Sequence, residues 1–282
     1  MPPNEIMSTG AEVSAIVPQQ WSQRYYDALL ADLPFNSLIA NDYENEIKAL
    51  GDTVKIPSLP EFDDAIELGE SDAADADGIT ATTQSLVINR RVVKDFIVTN
   101  KALLQSIPFV AKLKEMAVYA INKKIQAIII SLSIPSPSSP DNAIAFDSGT
   151  TAALADLLEA KELLDNQSVP MSDRHIVLGS AQLNDLFNIT GFTSSDFVAS
   201  ANSPLQTGQI PGQLLGFVPH FTTIVANVMY LFHKSYMTMA AQQGMAVKEY
   251  DLGVDGVRAS RVNTDTLIGV KQLDNKRIVT VG

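Results

Sequence analysis

The tetrapeptide Asp147-Ser148-Gly149-Thr150 has the residue order found around the catalytic aspartate of aspartic proteases. In that chemistry two carboxylates meet, so that one is held protonated while the other activates a water molecule. The motif occurs once in the chain, so a second aspartate would have to come from a symmetric partner. A homodimeric aspartic protease using Asp147 is therefore one hypothesis. The alternative is a Ser/Gly turn that precedes a helix starting near Thr151.

A second candidate for chemistry is Asp75-Ala76-Asp77-Gly78, in which carboxylates alternate as they do in calcium-binding loops. In the register of such a loop, the first and last ligands would be residues 73 and 84. Those residues are Ala73 and Gln84, so the first carboxylate and the bidentate glutamate are missing. We expect loose screening of these acids by cations and no specific calcium site.

The other residue types that support catalysis or metal binding are sparse. The three histidines, His175, His220 and His233, are far apart and lack the close spacing of zinc motifs. The chain has no cysteine, which excludes disulfides, thiolate metal sites and cysteine nucleophiles. It also lacks the glycine-rich phosphate-binding motifs and the GxSxG nucleophile motif. The sequence therefore predicts no catalytic residue, no metal site and no cofactor.

Composition narrows the class of protein further. The chain has 282 residues, 46% of them hydrophobic, which suits one large unit or two interlocked ones. Its net charge is -12, from 20 Lys and Arg against 32 Asp and Glu, and this sign opposes tight binding to nucleic acid phosphates. The most apolar stretch, residues 125–134, is far shorter than the roughly 20 residues of a membrane span. We expect no membrane partner.

An acidic segment interrupts two predicted strands. Residues 56–89 contain no Lys or Arg and eight carboxylates, which are Glu61, Asp63, Asp64, Glu67, Glu70, Asp72, Asp75 and Asp77. The flanking residues 53–57 and 82–88 have strand patterns, and a third strand is predicted at 95–99. Basic residues return as Arg90, Arg91 and Lys94. This pattern indicates an extended β-arm that is either docked on a partner or a solvated acidic loop.

The remaining elements are a mixture of helices and strands. Residues 107–132 predict a helix on the order of 40 Å long, with a proline in its first turn. Shorter helices are predicted at 18–33, 151–166 and 180–187, and strands at 175–178, 217–218, 228–232, 245–250 and 278–281, with a loop over 188–213. Since there is no regular alternation of strand and helix, the class is α+β.

The order of these parts, together with several short stretches, resembles the major capsid proteins of tailed bacteriophages, which have the HK97-like fold. Residues 51–57 resemble the strand that opens the family's E-loop, and residues 108–132 resemble its spine helix. Further similar stretches are residues 169–170 with 174–179, 212–218, 232–237, and 265–270 with 276–279. The resemblance covers nearly the whole chain.

The resemblance implies a domain plan. An N-terminal arm would occupy residues 1–50 and the E-loop, an extended β-hairpin, residues 51–99. A P-domain would combine residues 100–150, including the spine helix at 107–132, with residues 251–282. An A-domain of mixed sheet and helices would occupy residues 151–250.

The resemblance also implies a structural function with no enzyme activity. Copies of the chain would form hexamers and pentamers of an icosahedral phage head enclosing double-stranded DNA, without sequence-specific binding. Partners would be other copies, a portal and a separate scaffolding protein, with a decoration protein left open. The chain would be located in the virion, and in the host cytoplasm during assembly. An encapsulin-like nanocompartment shell is the alternative. The hypothesised contacts between copies involve Glu61, Asp63, Asp64, Glu67, Glu70, Arg90, Arg91 and Lys94.

Overall fold

The computed structural model describes residues 30–47, 53–58, 65, 67, 78, 80–99, 110–147, 149, 151–189, 210, 212–252 and 259–282. Residues 31–282 cluster into one unit and residues 1–30 into another, and the fold below is that of residues 31–282. The helix predicted at 18–33 falls mainly outside the described residues.

The described elements run in chain order as follows. The helices are α1 (Phe35–Leu38), α2 (Glu44–Ile47), α3 (Val110–Leu132), α4 (Leu154–Asn166) and α5 (Ser180–Asn188). The strands are β1 (Thr53–Ser58), β2 (Thr82–Val87), β3 (Arg90–Thr99), β4 (Ala143–Ile144), β5 (Arg174–Leu178), β6 (Val218–Phe221), β7 (Met229–His233), β8 (Met237–Leu252), β9 (Ala259–Gln272) and β10 (Ile278–Val281).

The two strands that flank the acidic segment form an antiparallel hairpin, β1 with β2, in which Ile56 lies opposite Gln84. One side of the hairpin is apolar, and Ile56 and Leu86 are buried in a cluster with Ile88 and Ala240. This cluster fixes the base of the hairpin on the long strands β8 and β9. The predicted pairing of the two strands is therefore present.

The long helix α3 packs across a three-stranded antiparallel sheet ordered β3-β9-β8. Its buried residues recur every three or four positions, and Ile121, Ile125 and Ile128 share a core with Val92 and Ile268 of the sheet. Burying one such aliphatic side chain contributes roughly 1.5–3 kcal/mol. The helix predicted over 107–132 is thus present from Val110, while residues 107–109 lie outside the described part.

A second core lies on a five-stranded sheet ordered β4-β10-β7-β5-β6. Helix α4 buries Leu157 and Leu164 against it, together with Ile176 of β5 and Val279 of β10. Within this sheet β5 and β6 are parallel, whereas β7 is antiparallel to both β5 and β10. The mixed strand directions confirm the α+β class.

Several strands differ from the sequence-based prediction, and β3, β8 and β9 differ most. Strand β3 starts at Arg90 and not at residue 95, and β8 runs from Met237 to Leu252. Strand β9 (Ala259–Gln272) was not predicted from its pattern at all. In the part of the chain that the structure describes, none of the helices combines the length and apolarity required to traverse a lipid bilayer.

Candidate intersubunit surface

The three-stranded sheet has one face covered by helix α3 and one face, here called the open face, that carries residues 91, 93, 95 and 97 of β3. The alternation of a strand places Val92 and Val98 toward the helix, where they are buried, and Val93 and Ile97 on the other side. The open face continues onto β9 and β8 because Ile97 lies opposite Arg261, which lies opposite Tyr250.

Two ion pairs cross the open face between β3 and β9. The guanidinium of Arg91 binds Asp265 with Nη2 2.7 Å from Oδ2, and Asp265 is buried although Arg91 is exposed. Arg261 pairs with Asp95, with Nε 2.7 Å from Oδ2. The hydrogen bond from Arg261 holds the pKa of Asp95 below its usual value, against a weaker opposing effect of burial. These pairs neutralise the charges of Arg91, Asp95, Arg261 and Asp265 within one subunit.

Apolar side chains on the open face are not covered. Ile97 is 62% exposed, Val93 44% and Tyr250 50%. Side chains of this size are usually buried in a folded chain, and neighbouring exposed examples indicate an interaction site. The open face therefore has the mixture of apolar and compensated charged groups that is found in contacts between proteins.

A basic groove lies at the start of β3, where the strand meets helix α3. The groove has a volume of about 710 Å³ and is lined by Asn89, by residues 90–93 of the strand and by Lys124, Ala127, Ile128 and Ser131 of the helix. Its charged lining residues are Arg90, Arg91 and Lys124, with no carboxylate among them. Since Arg91 is already paired with Asp265, the charges that the groove offers are those of Arg90 and Lys124. In a chain with a net charge of -12, this is a local reversal of sign.

The structure places only some of the predicted contact residues. Among the described residues, Arg90 and Lys94 have no ion pair, whereas Arg91 already has Asp265 as its partner. Glu67 is exposed. Glu61, Asp63, Asp64 and Glu70 lie outside the described residues. The paired residues Asp95, Arg261 and Asp265 were not singled out from the sequence, because their neighbours in space are far apart along the chain.

The motifs considered for catalysis have other surroundings. Asp147 is exposed, and its backbone N–H donates a hydrogen bond to Oδ1 of Asp156 at 3.2 Å. The N–H of Gly149 donates to the carbonyl of Phe146, and Gly149 has a φ of 81°. The surroundings of Asp147 and Gly149 are thus backbone and side-chain hydrogen bonds ahead of helix α4, while Ser148 and Thr150 lie outside the described residues. Within the described ranges, no group of three or more His, Asp or Glu side chains could hold a metal ion.

Two histidines do come together, which sequence spacing did not predict. His175 Nδ1 lies 3.2 Å from His220 Nε2 because β5 and β6 are parallel neighbours. The third, His233, binds Ser235 through Nδ1 at 2.7 Å.

Comparison with known proteins gives two concordant results and one negative one. The family model described as phage capsid protein matches residues 94–282. No curated protein matches the sequence significantly. Many solved structures share the fold.

Three of these structures illustrate how far the likeness extends. A chain of Mycobacterium phage Che8 superposes with a TM-score of 0.77 at 20% identity, covering 94% of this chain and 97% of that one. A chain of the capsid of cyanophage P-SCSP1u gives 0.76 at 11% identity, with 98% and 95% covered. One from the capsid of cyanophage Pam1 gives 0.74 at 15% identity, with 99% and 98% covered.

The matches exclude one of the hypotheses drawn from the sequence. A fold shared over nearly the full length with capsid subunits confirms the predicted capsid-type α+β architecture. Proteins of this family are structural components of the phage head and not enzymes, so the protease hypothesis for Asp147 is wrong. The family model matches about two thirds of the residues of this chain, so the chain belongs to the phage capsid protein family.

Proposed function

We propose that this chain is the subunit of an icosahedral phage head, in which copies assemble as hexamers and pentamers around double-stranded DNA. The observation that supports this most directly is the shared fold over nearly all of the chain with subunits from phage capsids. The negative net charge suits a container wall, because DNA phosphates are repelled from it and the enclosed DNA stays mobile. No sequence-specific contact with DNA is part of the proposal.

The proposal includes the domain plan and the partners inferred above. Helix α3 and strand β9 would belong to the P-domain, β3 to the E-loop region and nearly all of β8 to the A-domain at 151–250. The five-stranded sheet would combine β5, β6 and β7 of the A-domain with β4 and β10 of the P-domain. A portal and a separate scaffolding protein would act during assembly in the host cytoplasm. In the virion, the chain would be located in the finished shell.

Particle formation tests this function. Purified protein should form shells or capsomers that are visible by negative-stain electron microscopy, and shells recovered from infected cells should protect DNA from nuclease. Particles holding a protein cargo and no DNA would favour the encapsulin-like alternative. A 30.4 kDa monomer at all protein and salt concentrations would overturn both.

We propose further that the acidic segment of one subunit docks in the basic groove of the next. The groove offers Arg90 and Lys124, and the segment offers Glu61, Asp63 and Asp64. Each exposed pair contributes only about 0–1 kcal/mol, but a shell repeats the contact in every copy, so the sum is large.

Charge reversal tests this contact. Arg90→Glu with Lys124→Glu should slow assembly, and adding Asp63→Lys with Asp64→Lys should restore part of the rate. The matched control is Lys271→Glu with Lys276→Glu, which changes the net charge equally outside the groove. Equal slowing by both double variants, or no rescue by the four-residue variant, would contradict the proposed contact.

A further inference from the structure

The imidazole rings of His175 and His220 form a hydrogen-bonded pair between two strands. Nδ1 of His175 lies 3.2 Å from Nε2 of His220, and the ring centroids are 5.3 Å apart with the planes tilted by 51°. An imidazole nitrogen either donates or accepts, so one ring must supply the N–H and the other the lone pair. The hydrogen bond between the two rings therefore exists only while at least one of the two facing nitrogens carries no proton.

The pair joins the last strand of the five-stranded sheet to its neighbour. Strand β6 lies at the edge of that sheet and pairs only with β5 among the described residues. Beyond β6, the N–H of Thr222 donates to the carbonyl of Leu178, and its hydroxyl donates to the carbonyl of Asp32 at 2.7 Å. The backbone ladder from Val218 to Phe221 also holds this edge on β5, and the histidine pair adds a side-chain contact to that ladder.

The charged groups around the pair favour its neutral form on balance. His175 faces Asp173, Lys234 and His233 in addition to His220, and only Asp173 favours protonation. Burial, followed by the nearby charge of His220, lowers the pKa of His175. Burial also lowers the pKa of His220, against the opposing attraction of Asp32.

We propose that the His175–His220 pair is an acid-sensitive latch that holds edge strand β6 on β5. One proton can be accommodated between the two nitrogens, because a charged ring still donates to a neutral one. A second proton leaves two donors facing each other with no acceptor, and two like charges at hydrogen-bond distance repel. The strand edge then separates, which widens the partly open cavity of about 440 Å³ that Pro219, His220 and Phe221 line. The latch acts inside one subunit and does not depend on the proposed shell.

Hydrogen exchange on the full-length chain tests the latch. We expect the backbone amides of Val218, His220, Phe221 and Thr222 to lose at least about tenfold more protection between about pH 7.5 and about pH 4, after correction for intrinsic rates, than those of β10. The range extends to low pH because the second proton binds more than about one pH unit below the first, whose pKa is itself lowered. In His220→Gln the side chain can still bond but cannot titrate, so this extra loss should disappear. His233→Gln is the matched control, because His233 is also half-buried but bonds Ser235, and it should behave like the wild type.

Two results would overturn the proposal. One is an equal pH-dependent loss over 218–222 in the wild type and in His220→Gln. The other is independent titration of the two rings by NMR, where the latch requires two steps separated by more than about one pH unit. If His220→Gln does not fold, the ring titration of the wild-type chain decides the question alone, with His233 as its single-step reference.

Discussion

Gly269 lies where the base of the β1–β2 hairpin crosses strand β9, and no side chain fits there. A Cβ at this position would lie 2.6 Å from the carbonyl oxygen of Val87, 3.1 Å from its carbonyl carbon and 3.2 Å from Cα of Ile88. All three atoms belong to the backbone, so no side-chain rotation can relieve the clash. Gly269→Ala must therefore displace either the hairpin or the strand.

The cost follows from what the displacement would disturb. Leu86 and Ile88 are buried directly beside the crossing, and their cluster attaches the hairpin to the sheet. Overpacking of a well-packed site costs about 1–3 kcal/mol, and loss of chain entropy in the unfolded state returns about 0.4–1 kcal/mol. We expect the free energy of unfolding of the unassembled subunit to fall by about 1–2 kcal/mol, which corresponds to roughly 2–8 °C in Tm for a domain of this size.

Gly244 provides a matched control in strand β8 of the same sheet, since no atom lies within 4 Å of the Cβ it would gain. Gly244→Ala should leave Tm unchanged or raise it slightly, because alanine suits a strand interior better than glycine. The assay is denaturant unfolding, with limited proteolysis across the hairpin as a local measure. Equal stability of the two variants would refute the steric argument.

Three further changes test other parts of the fold. Arg174→Lys should lower the free energy of unfolding by about 2 kcal/mol or more, measured by denaturant titration. Arg174 is 2% exposed, donates to the carbonyls of Val169 and Pro170, and pairs with Asp165. Lysine cannot make all of these contacts, and each charged hydrogen bond contributes about 1.5–3 kcal/mol. Gln126→Met should raise Tm by a few degrees, because neither polar atom of this fully buried side-chain amide has a hydrogen-bond partner. An unpaired buried polar group costs about 1–3 kcal/mol. A lower Tm in the variant would mean that the amide is hydrogen-bonded. The pKa of all three histidines is lowered in the folded state, so the unfolded chain binds more protons. The free energy of unfolding should therefore fall as the pH drops from about 6.5 toward the lowered pKa values. A free energy of unfolding that stays constant from pH 8 to 5.5 would contradict this.

The sequence was sufficient to predict those helices and strands whose own residue pattern decides their structure. Helix α3 follows from apolar residues at helical spacing, and β10 was predicted with its observed bounds at 278–281. The hairpin β1–β2 was predicted because strand patterns flank the acidic segment on both sides. In each case local propensity and burial agree.

Prediction failed where tertiary pairing overrides the local pattern. Strand β9 contains Thr264, Asp265 and Thr266, three polar residues that are all buried, so its hydrophobic alternation is lost. The start of β3 contains Arg90 and Arg91, whose charge obscured a strand that is stabilised by Asp265 on the neighbouring strand. The strand propensity of such residues depends on their cross-strand partners, which a single sequence does not show.

The candidate site was partly predictable for the same reason. Charge alone pointed to Arg90 and Lys94, because the sign of the sequence changes abruptly after residue 89. The open face could not be found this way. Its ion pairs join Arg91 to Asp265 and Asp95 to Arg261, and only the register of β3 on β9 brings these residues together.

The separation of opposite charges along the chain has a consequence for the proposed assembly. The basic groove lies between β3 and α3, while the carboxylates are concentrated in residues 61–77, so the two complementary surfaces belong to different segments. A contact between different surfaces of identical subunits is heterologous: each copy uses its acidic segment on one neighbour and its groove on the other. Such contacts close into rings when the rotation between neighbours divides a full turn, and they do not produce isolated two-fold dimers.

Rings of this kind are what hexamers and pentamers require, and the same pair of surfaces can serve both if the contact tolerates a small change in angle. Exposed ionic pairs, being weak and undemanding in geometry, provide that tolerance.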